Sequence, residues 1–329
     1  MNSTMWVRLT IVGLALSVPT QVRADVSLLY VSSYETNTIQ TITPGGTTHT
    51  FASGLSNPYG MAFDSAGNLY VANAYGGVSG TIEKFTPGGV SSVFASTGLN
   101  IPVGLAFDAS GNLYVTNSGA GSIEKFTPSG VGTMFATGLS TPYGIALDSA
   151  GNVYVGNEGS SVIDKITPGG VSSFFASAVS SLALAFDSSG NLFSANGNST
   201  ITKFTPGGAA SVFATGQPLT FALAFDSSGN LFSANYYAGT ITEFTPGGGG
   251  VGSFFASVSG EPVGLAFDTG LVYGPTVSTP EPSSFLIVCS VLGLTGAFLC
   301  LRRRYRSQRT CPSERTGQSD GTLLKETNS

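Results

Sequence analysis

The chain has 329 residues and a formal net charge of −5, but its charge is unevenly placed. Residues 25–284 hold 15 acidic side chains against four lysines and no arginine, which gives this segment a net charge of −11. An acidic segment of this kind repels phosphate backbones, which argues against a nucleic-acid partner. All three cysteines lie beyond residue 284, so the acidic segment can form no internal disulfide.

The first 24 residues have the features of a secretory signal peptide. Arg8 supplies the positive charge, residues 9–18 form a largely apolar stretch, and Ala24 ends a small-residue cleavage site. An apolar stretch of this length is too short to span a bilayer. We therefore expect residues 1–24 to direct export and to be removed.

Residues 25–274 are built from a repeat. A phrase of the form Gly/Ala-x-Ala-Phe/Leu-Asp occurs six times, and its aspartates are spaced 44, 40, 39, 39 and 42 residues apart. Short β-like segments with a period near 40 are typical of a β-propeller that has one four-stranded blade per repeat. The six aspartates are Asp64, Asp108, Asp148, Asp187, Asp226 and Asp268.

Residues 99–140 illustrate one predicted blade. Alternating apolar residues indicate four strands, and glycine, asparagine and proline mark the turns between them. The first strand contains small residues such as Gly104 and Ala106, which we expect nearest the axis, where blades crowd together. The four predicted strands are 103–107, 113–116, 122–126 and 132–136.

The ends of the repeat region predict how the ring closes. Five full repeats run from about residue 54 to residue 257. Residues 28–52 match the last three strands of a blade, whereas residues 263–267 match a first strand. We therefore predict an all-β, six-bladed β-propeller closed by its N- and C-terminal strands, with a transmembrane helix after it.

The C-terminal region predicts a membrane anchor. Residues 275–284 form a linker that contains a Pro-Glu-Pro motif, and the 17 apolar or small residues 285–301 reach the lower limit of spanning length. The arginines at 302–304 predict that the tail, residues 302–329, stays in the cytoplasm. This places the propeller outside the inner membrane.

The repeat resembles known propeller families. The run at residues 64–73, Asp-Ser-Ala-Gly-Asn-Leu-Tyr-Val-Ala-Asn, and its copies resemble NHL-type repeats. They also resemble the wider six-bladed family of gluconolactonase/regucalcin-like lactonases and streptogramin lyases. The resemblance implies the fold rather than an activity, because binding proteins and enzymes share it.

The C-terminal region resembles the PEP-CTERM sorting signal of Gram-negative bacteria. The resemblance implies an exosortase-like partner that removes the helix and passes the protein to the cell surface or outside, in association with exopolysaccharide and biofilm. Such signals usually end just after the arginines, whereas 25 residues follow here. An ordinary single-span anchor is the alternative. The residues concerned are Pro280, Glu281, Pro282, Arg302, Arg303 and Arg304.

One face of the ring is the better candidate for binding. The "turn face" carries the Asp-x-x-Gly-Asn and Thr-Pro-Gly-Gly turns, which are nearly identical in every blade. The opposite "loop face" carries the starts of first strands, the ends of second strands and the loops after them. The sequences of these loops differ between blades while the rest of the repeat stays constant, which makes the loop face the better candidate for ligand binding. The candidates there are Glu158, Asn157, Glu35, Asn73, Asn117, Asn196, Asn235, Tyr59, Tyr143 and Tyr236.

Two interpretations of the loop-face asparagines compete. Each could satisfy loop amides at a strand end, and repetition in every blade favours this structural role. Alternatively, they could bind a polar sugar or a cation together with Glu35 or Glu158, and oxygen donors of this kind would suit Ca²⁺. We predict no cofactor, with Ca²⁺ as the alternative. The tyrosines could stack on sugar rings or could simply be exposed.

Catalysis is not predicted. The only histidine, His49, falls in an outer strand, so a channel histidine that acts as a general acid is missing. We expect an exported, non-catalytic surface or extracellular-matrix interaction module, with polysaccharide as the candidate ligand. A metal-dependent lactonase-like hydrolase is the alternative, and a plain structural surface protein is the third interpretation.

Overall fold

The structure is a computed structural model that describes residues 27–74 and 80–268. All of them belong to the first of two structural units in the chain, Met1–Gly274. The predicted signal peptide, linker, C-terminal helix and tail lie outside the described residues, as does the Pro-Glu-Pro motif. Within the described ranges, no helix has the length and apolarity needed to cross a membrane.

The described residues form six four-stranded antiparallel sheets, which we number as blades in chain order. Blade 1 contains β1 (Leu29–Ser33), β2 (Thr38–Ile42), β3 (Thr48–Ser53) and β24 (Pro262–Phe267). Blade 2 contains β4 (Pro58–Phe63), β5 (Leu69–Asn73), β6 (Thr81–Phe85) and β7 (Ser91–Ala95). Blade 3 contains β8 (Pro102–Phe107), β9 (Leu113–Asn117), β10 (Ser122–Phe126) and β11 (Gly132–Thr137).

The other three blades follow the same plan. Blade 4 contains β12 (Pro142–Leu147), β13 (Val153–Asn157), β14 (Val162–Ile166) and β15 (Ser172–Ser177). Blade 5 contains β16 (Ser181–Phe186), β17 (Leu192–Asn196), β18 (Thr200–Phe204) and β19 (Ala210–Ala214). Blade 6 contains β20 (Thr220–Phe225), β21 (Leu231–Asn235), β22 (Thr240–Phe244) and β23 (Ser253–Ser257).

The ring closes within blade 1, as the sequence predicts. The last strand, β24, pairs antiparallel with β1, so that Leu29 lies opposite Phe267 and Val31 opposite Leu265. First strands of neighbouring blades contact one another all the way around the axis. This confirms an all-β, six-bladed propeller whose two ends share one sheet, an arrangement that leaves no unpaired inner strand.

Close contact between blades explains the small residues of the first strands. A Cβ atom on Gly60 would lie 2.3 Å from the carbonyl oxygen of Val103, which belongs to the next blade. On Gly104 it would lie 2.4 Å from the carbonyl oxygen of Tyr143. These distances are far below van der Waals contact, so the inner strands can approach this closely only where the side chain is missing.

Aromatic rings fill the space between blades. In blade 2, the buried ring of Tyr70 contacts Phe94 of its own blade at 4.9 Å and Phe107 of blade 3 at 5.0 Å. The same arrangement recurs around Tyr30, Tyr154, Phe193 and Phe232. Edge-to-face pairs of this kind stabilise by about 0.5–1.5 kcal/mol beyond the burial of their area.

The outermost strands end each sheet with a β-bulge. Between β6 and β7, Ile82 lies opposite Ala95 and Glu83 opposite Val93, which leaves Phe94 as the extra residue. All six outermost strands have such an irregularity. The bulge turns the phenylalanine toward the core, and it also makes the edge a poor template for another strand.

The turn face is held by a repeated polar contact. In blade 3, Asp108 accepts hydrogen bonds from the backbone of Ser110 and Asn112 at 2.9 and 2.8 Å. Its second oxygen lies 3.5 Å from Nζ of Lys125, which sits 4.8 Å from the ring centre of Tyr114. Burial alone would raise the pKa of Asp108, but these hydrogen bonds and the lysine outweigh it, so the net pKa is lowered.

Candidate ligand-binding face

Six side chains at the starts of the first strands surround the axis on the loop face. Large and small residues alternate from blade to blade, so the aromatic rings of Tyr59, Tyr143 and Phe221 come from alternate blades. The aliphatic residues between them are Val103, Leu182 and Val263, all of which are buried. The mouth of the axial channel therefore carries three rings separated by three compact side chains.

The mouth rings belong to a longer run of aromatic contacts. Successive ring centres from Tyr34 to Tyr59, Tyr143 and Phe221 are 5.5, 6.5 and 6.4 Å apart. The run continues to Tyr236 at 4.7 Å and to Tyr237 at a further 4.9 Å. We call these six residues the aromatic arc. Tyr237 at its end is 78% exposed, whereas the other five rings are partly buried.

The axial channel beneath the arc is narrow and is lined by aliphatic and aromatic side chains together with inner-strand backbone. Its cavity has a volume of about 70 Å³ and is lined by inner-strand residues such as Gly104, Ile145 and Leu184. Small-molecule sites usually have volumes of roughly 300–1,000 Å³. The channel is therefore too small to enclose a metabolite, and a ligand on this face would lie across the arc.

Strained backbone holds the mouth residues in place. Ile101 and Thr141 have φ angles of 50° and 49°, which β-branched residues rarely adopt. Each is followed by a proline and then by a mouth residue, Val103 or Tyr143. The same left-handed turn occurs at Asn57 with φ 51°, where asparagine adopts it more readily. The turn therefore directs the first strand, and with it the mouth side chain, toward the axis.

Three tyrosines of the arc, Tyr59, Tyr143 and Tyr236, are neutral hydroxyl groups at physiological pH. Burial raises the pKa of Tyr59, and the neighbouring phenol of Tyr143 adds to the effect. Burial and the nearby carboxylate of Glu158 raise the pKa of Tyr143. Burial and a hydrogen bond to Glu261 raise the pKa of Tyr236. These phenols can donate hydrogen bonds, but they are poorly suited to act as bases.

The candidate asparagines are buried at the ends of the second strands. Asn157 is 1% exposed, donates to Asp164 at 2.9 Å and accepts from the backbone of Ser140 at 3.1 Å. Asn117 donates to the carbonyl of Gly98 at 2.8 Å. Asn196 and Asn235 each donate to two threonines of their own blade. These contacts favour the structural interpretation of the asparagines.

Asn73 differs from the other four. Its amide nitrogen donates to Glu83 at 3.2 Å, as Asn157 does to an aspartate. Its amide oxygen is buried and has no hydrogen-bond partner among the described residues. Residues 75–79, which follow in the chain, lie outside the described ranges, so no ligand is assigned to this oxygen.

The acidic candidates occupy different positions on the loop face. Glu158 is partly buried beside Tyr143, and it accepts a hydrogen bond from the Ser180 hydroxyl at 3.5 Å. Glu35 is exposed in the loop after β1. Glu261, which precedes β24, faces Tyr236, and its carbonyl oxygen accepts from the backbone of Tyr34. Carboxylates therefore lie at separate points along the arc.

These residues do not form a donor set for Ca²⁺ on the axis. The asparagine oxygens at 117, 157, 196 and 235 already accept hydrogen bonds, and the side chains that line the axial cavity are aliphatic or aromatic. No group of three or more His, Cys, Asp or Glu side chains converges within residues 27–74 and 80–268. The candidate side chains therefore supply no converging set of ligands for an axial cation in this part of the chain.

Sequence reasoning missed part of this face. Tyr34 and Tyr237 extend the arc at its two ends, and Glu261 faces it, but none of the three was among the candidate residues. Tyr34 and Tyr237 are loop residues, and only the folded structure shows that their rings contact Tyr59 and Tyr236. Glu261 precedes a first strand, whereas the sequence argument looked mainly at the ends of second strands. The variable loop motif Tyr236-Tyr237 was the available signal.

No family model and no curated protein matches the chain. Solved structures with a similar fold include virginiamycin B lyase from Staphylococcus aureus, in a catalytically inactive variant with quinupristin. Its identity is 16% and its TM-score 0.56, over 75% of this chain and 94% of that one. A gluconolactonase from Xanthomonas campestris has 20% identity and a TM-score of 0.56, over 63% of this chain and 79% of that one. A streptogramin B lyase has 16% identity and a TM-score of 0.52, over 70% of this chain and 74% of that one.

At these identities the likeness establishes the fold alone. The chain is a six-bladed β-propeller with structural neighbours of the gluconolactonase and virginiamycin B lyase type. Its loop face carries an aromatic arc over a narrow channel, and its turn face carries repeated aspartate–lysine contacts.

Proposed function

We propose that this chain is an exported, non-catalytic β-propeller that binds a carbohydrate polymer across its loop face. The observation that carries the proposal is the aromatic arc. Flat rings such as Tyr59 and Tyr237 offer apolar surfaces on which sugar rings can stack, and tyrosine adds a hydroxyl that can hydrogen-bond. Glu158 and Glu261 would accept hydrogen bonds from sugar hydroxyls beside the stacked rings.

The shape of the face favours a polymer over a small metabolite. The axial cavity of about 70 Å³ is too small to enclose a ligand, whereas the arc passes through blades 1, 2, 4 and 6. An extended ligand could contact several rings at once. Its affinity would then come from many weak contacts along its length.

Export and sorting form the second part of this proposal. Residues 1–24 would direct secretion, and residues 285–301 would anchor the protein in the inner membrane with the propeller in the periplasm. An exosortase-like enzyme would then recognise the PEP-CTERM-like motif and release the protein to the cell surface or the matrix. The Pro-Glu-Pro motif, the apolar stretch and the arginines support this assignment through their order in the sequence.

A lactonase-like or lyase-like enzyme is the second candidate. The solved structures with this fold include two lyases and a gluconolactonase, which favours this alternative on grounds of fold. Against it, the only histidine, His49, is exposed in an outermost strand, and the axial residues do not match a metal site. Glu158 beside Tyr143 is the residue we would test first for a catalytic role.

The binding proposal can be tested with a glycan panel and the full chain. Tyr59→Ala and Tyr236→Ala should each weaken polymer binding by about tenfold or more, because each removes a stacking surface. Phe174→Ala is the matched control, since Phe174 is 66% exposed on an outermost strand away from the arc. Equal loss in the control, or no glycan binding by the unaltered chain, would contradict the proposal.

Two further measurements separate the alternatives. Lactone turnover that is lost in Glu158→Gln would favour an enzyme, and turnover that needs an added metal would favour the lactonase type. For sorting, the host cells would be fractionated after Pro280, Glu281 and Pro282 are changed to alanine. Retention of the variant in the inner membrane is expected, and unchanged release would exclude processing at this motif.

A further inference from the structure

The turn face repeats one contact in four blades and departs from it in two. In blade 1, Thr41 lies opposite the second-strand ring of Tyr30. In blades 2 to 5, the turn aspartate faces a lysine of the third strand that lies over the aromatic ring of the second strand. The four ion-pair distances are 3.9, 3.5, 3.8 and 3.6 Å, and the four ammonium-to-ring distances are 5.2, 4.8, 5.2 and 5.3 Å. The four lysines are Lys84, Lys125, Lys165 and Lys203.

Blade 6 has a glutamate where blades 2 to 5 have lysine. Glu243 lies opposite Phe232 in the sheet, as Lys203 lies opposite Phe193 in blade 5. The rest of the motif is unchanged, because Asp226 accepts from the backbone and side-chain amides of Asn230 at 2.8 Å each. Blade 6 therefore keeps the aspartate and the ring but has a second carboxylate in place of the ammonium group.

A cleft opens at this point between blades 6 and 1. Its volume is about 290 Å³, and Asp226, Glu243 and the ring of Phe232 all line it. The equivalent cleft between blades 5 and 6 is lined by Lys203. No lysine or arginine within the described ranges lines the cleft of blade 6 or forms an ion pair with either carboxylate.

We propose that this cleft binds a primary alkylammonium cation, with its ammonium group between Asp226 and Glu243 and its alkyl chain along Phe232. The four lysine blades indicate the ligand independently of the acidic pair. There, the same aspartate position in the same fold already binds a primary ammonium at the end of a four-carbon chain. The ligand would supply to blade 6 the group that its sequence lacks.

The electrostatics of the cleft favour such a cation. Two carboxylates attract a positive charge more strongly than the single aspartate of the other blades. The face of an aromatic ring adds a cation–π attraction. The volume lies just below the usual range for drug-sized ligands, so a small amine fits better than a large one. This site lies on the turn face and does not depend on the carbohydrate proposal.

The probe is n-butylammonium chloride, which reproduces the lysine side chain beyond its Cα atom. Binding to the full chain would be measured by saturation-transfer NMR and calorimetry against sodium chloride at equal ionic strength. We expect one saturable site. Glu243→Lys should weaken binding by about tenfold or more, because the new ammonium group would occupy the site itself.

Two variants act as matched controls. Glu35→Lys makes the same change of charge at an exposed position on the loop face and should leave binding unchanged. Lys203→Glu should copy the blade 6 arrangement into blade 5 and raise the number of sites from one to two. If Glu243→Lys does not fold, Glu243→Gln provides the same test with a smaller change of charge, because it removes the carboxylate without adding an ammonium group.

Three results would overturn the proposal. One is the absence of saturable binding by the unaltered chain. Another is equal weakening in Glu35→Lys and Glu243→Lys, which would indicate diffuse attraction to an acidic surface. The third is full binding by folded Glu243→Lys, since the ammonium would then bind elsewhere. A second saturable site in folded Lys203→Glu would support the proposal directly.

Discussion

Adding one methyl group to an inner strand should destabilise the whole ring. Gly104 lies in β8, and a Cβ atom on it would be 2.4 Å from the carbonyl oxygen of Tyr143. It would also be 2.9 Å from Cγ2 of Ile145 and 3.0 Å from Oγ1 of Thr116. The neighbouring backbone must therefore move by at least 0.6 Å before even a very tight contact of 3.0 Å is reached.

The size of the effect follows from two opposing terms. Overpacking costs about 1–3 kcal/mol, and we take about 3 because the nearest atom is backbone of another inner strand. Alanine also reduces the conformational freedom of the unfolded chain, which stabilises by about 0.4–1 kcal/mol. The steric term is larger, so Gly104→Ala should destabilise by about 2 kcal/mol. For a domain of this size, that corresponds to a fall in Tm of about 4–8 °C.

The assay is thermal unfolding of the full chain followed by circular dichroism. Gly169→Ala is the matched control, because its Cβ would be 3.9 Å from the nearest atom, Oγ1 of Thr167. We expect the Tm of this control to stay close to that of the unaltered protein. A Tm for Gly104→Ala within about 2 °C of the control would refute the argument that the inner strands are in contact.

Three other predictions concern charge and strain. The lowered pKa of Asp108 means that its carboxylate stabilises the fold above the unfolded pKa of about 3.9, and that this stability is lost as the pH falls through the folded pKa. Asp108→Asn should therefore flatten the dependence of Tm on pH below about pH 4, and an unchanged slope would contradict this. Burial raises the pKa of Glu124, whose carboxylate costs stability at neutral pH, so Glu124→Gln should raise the Tm at pH 7, and a fall would contradict this. Ile101→Asn should stabilise by about 1 kcal/mol in denaturant unfolding, because asparagine tolerates the φ of 50°; destabilisation would show that packing of the isoleucine matters more.

The sequence predicts the architecture well because the same order of strands and turns recurs in every blade. The strands predicted at 103–107, 113–116, 122–126 and 132–136 correspond to β8–β11 within one residue at each end. Ring closure was also predictable, since the two ends of the repeat region supply complementary parts of one blade. The bulges of the outermost strands were not foreseen, because alternation alone does not reveal the extra residue.

The candidate face was harder to predict, since contacts along the aromatic arc join residues far apart in sequence. Tyr59 and Tyr143 meet across the axis although 84 positions separate them. Two rings meet only because blades 2, 4 and 6 have large mouth residues and the blades between them have small ones. A single repeat read alone does not give that order. Tyr59 and Tyr143 could be named from sequence, but their contact with each other could not.

Comparison between blades also separates structural positions from candidate sites. Asparagine recurs at the ends of five second strands, and the contacts of Asn157 show why: its side chain joins strands within the blade. Lysine recurs in four blades and pairs with an aspartate, so its replacement by Glu243 removes a contact that the fold uses elsewhere. A residue repeated in most blades thus reports a contact that the common blade plan uses. In blade 6, Glu243 puts a carboxylate where blades 2 to 5 have the ammonium partner of the turn aspartate, and an external ammonium group has the chemistry to take that place.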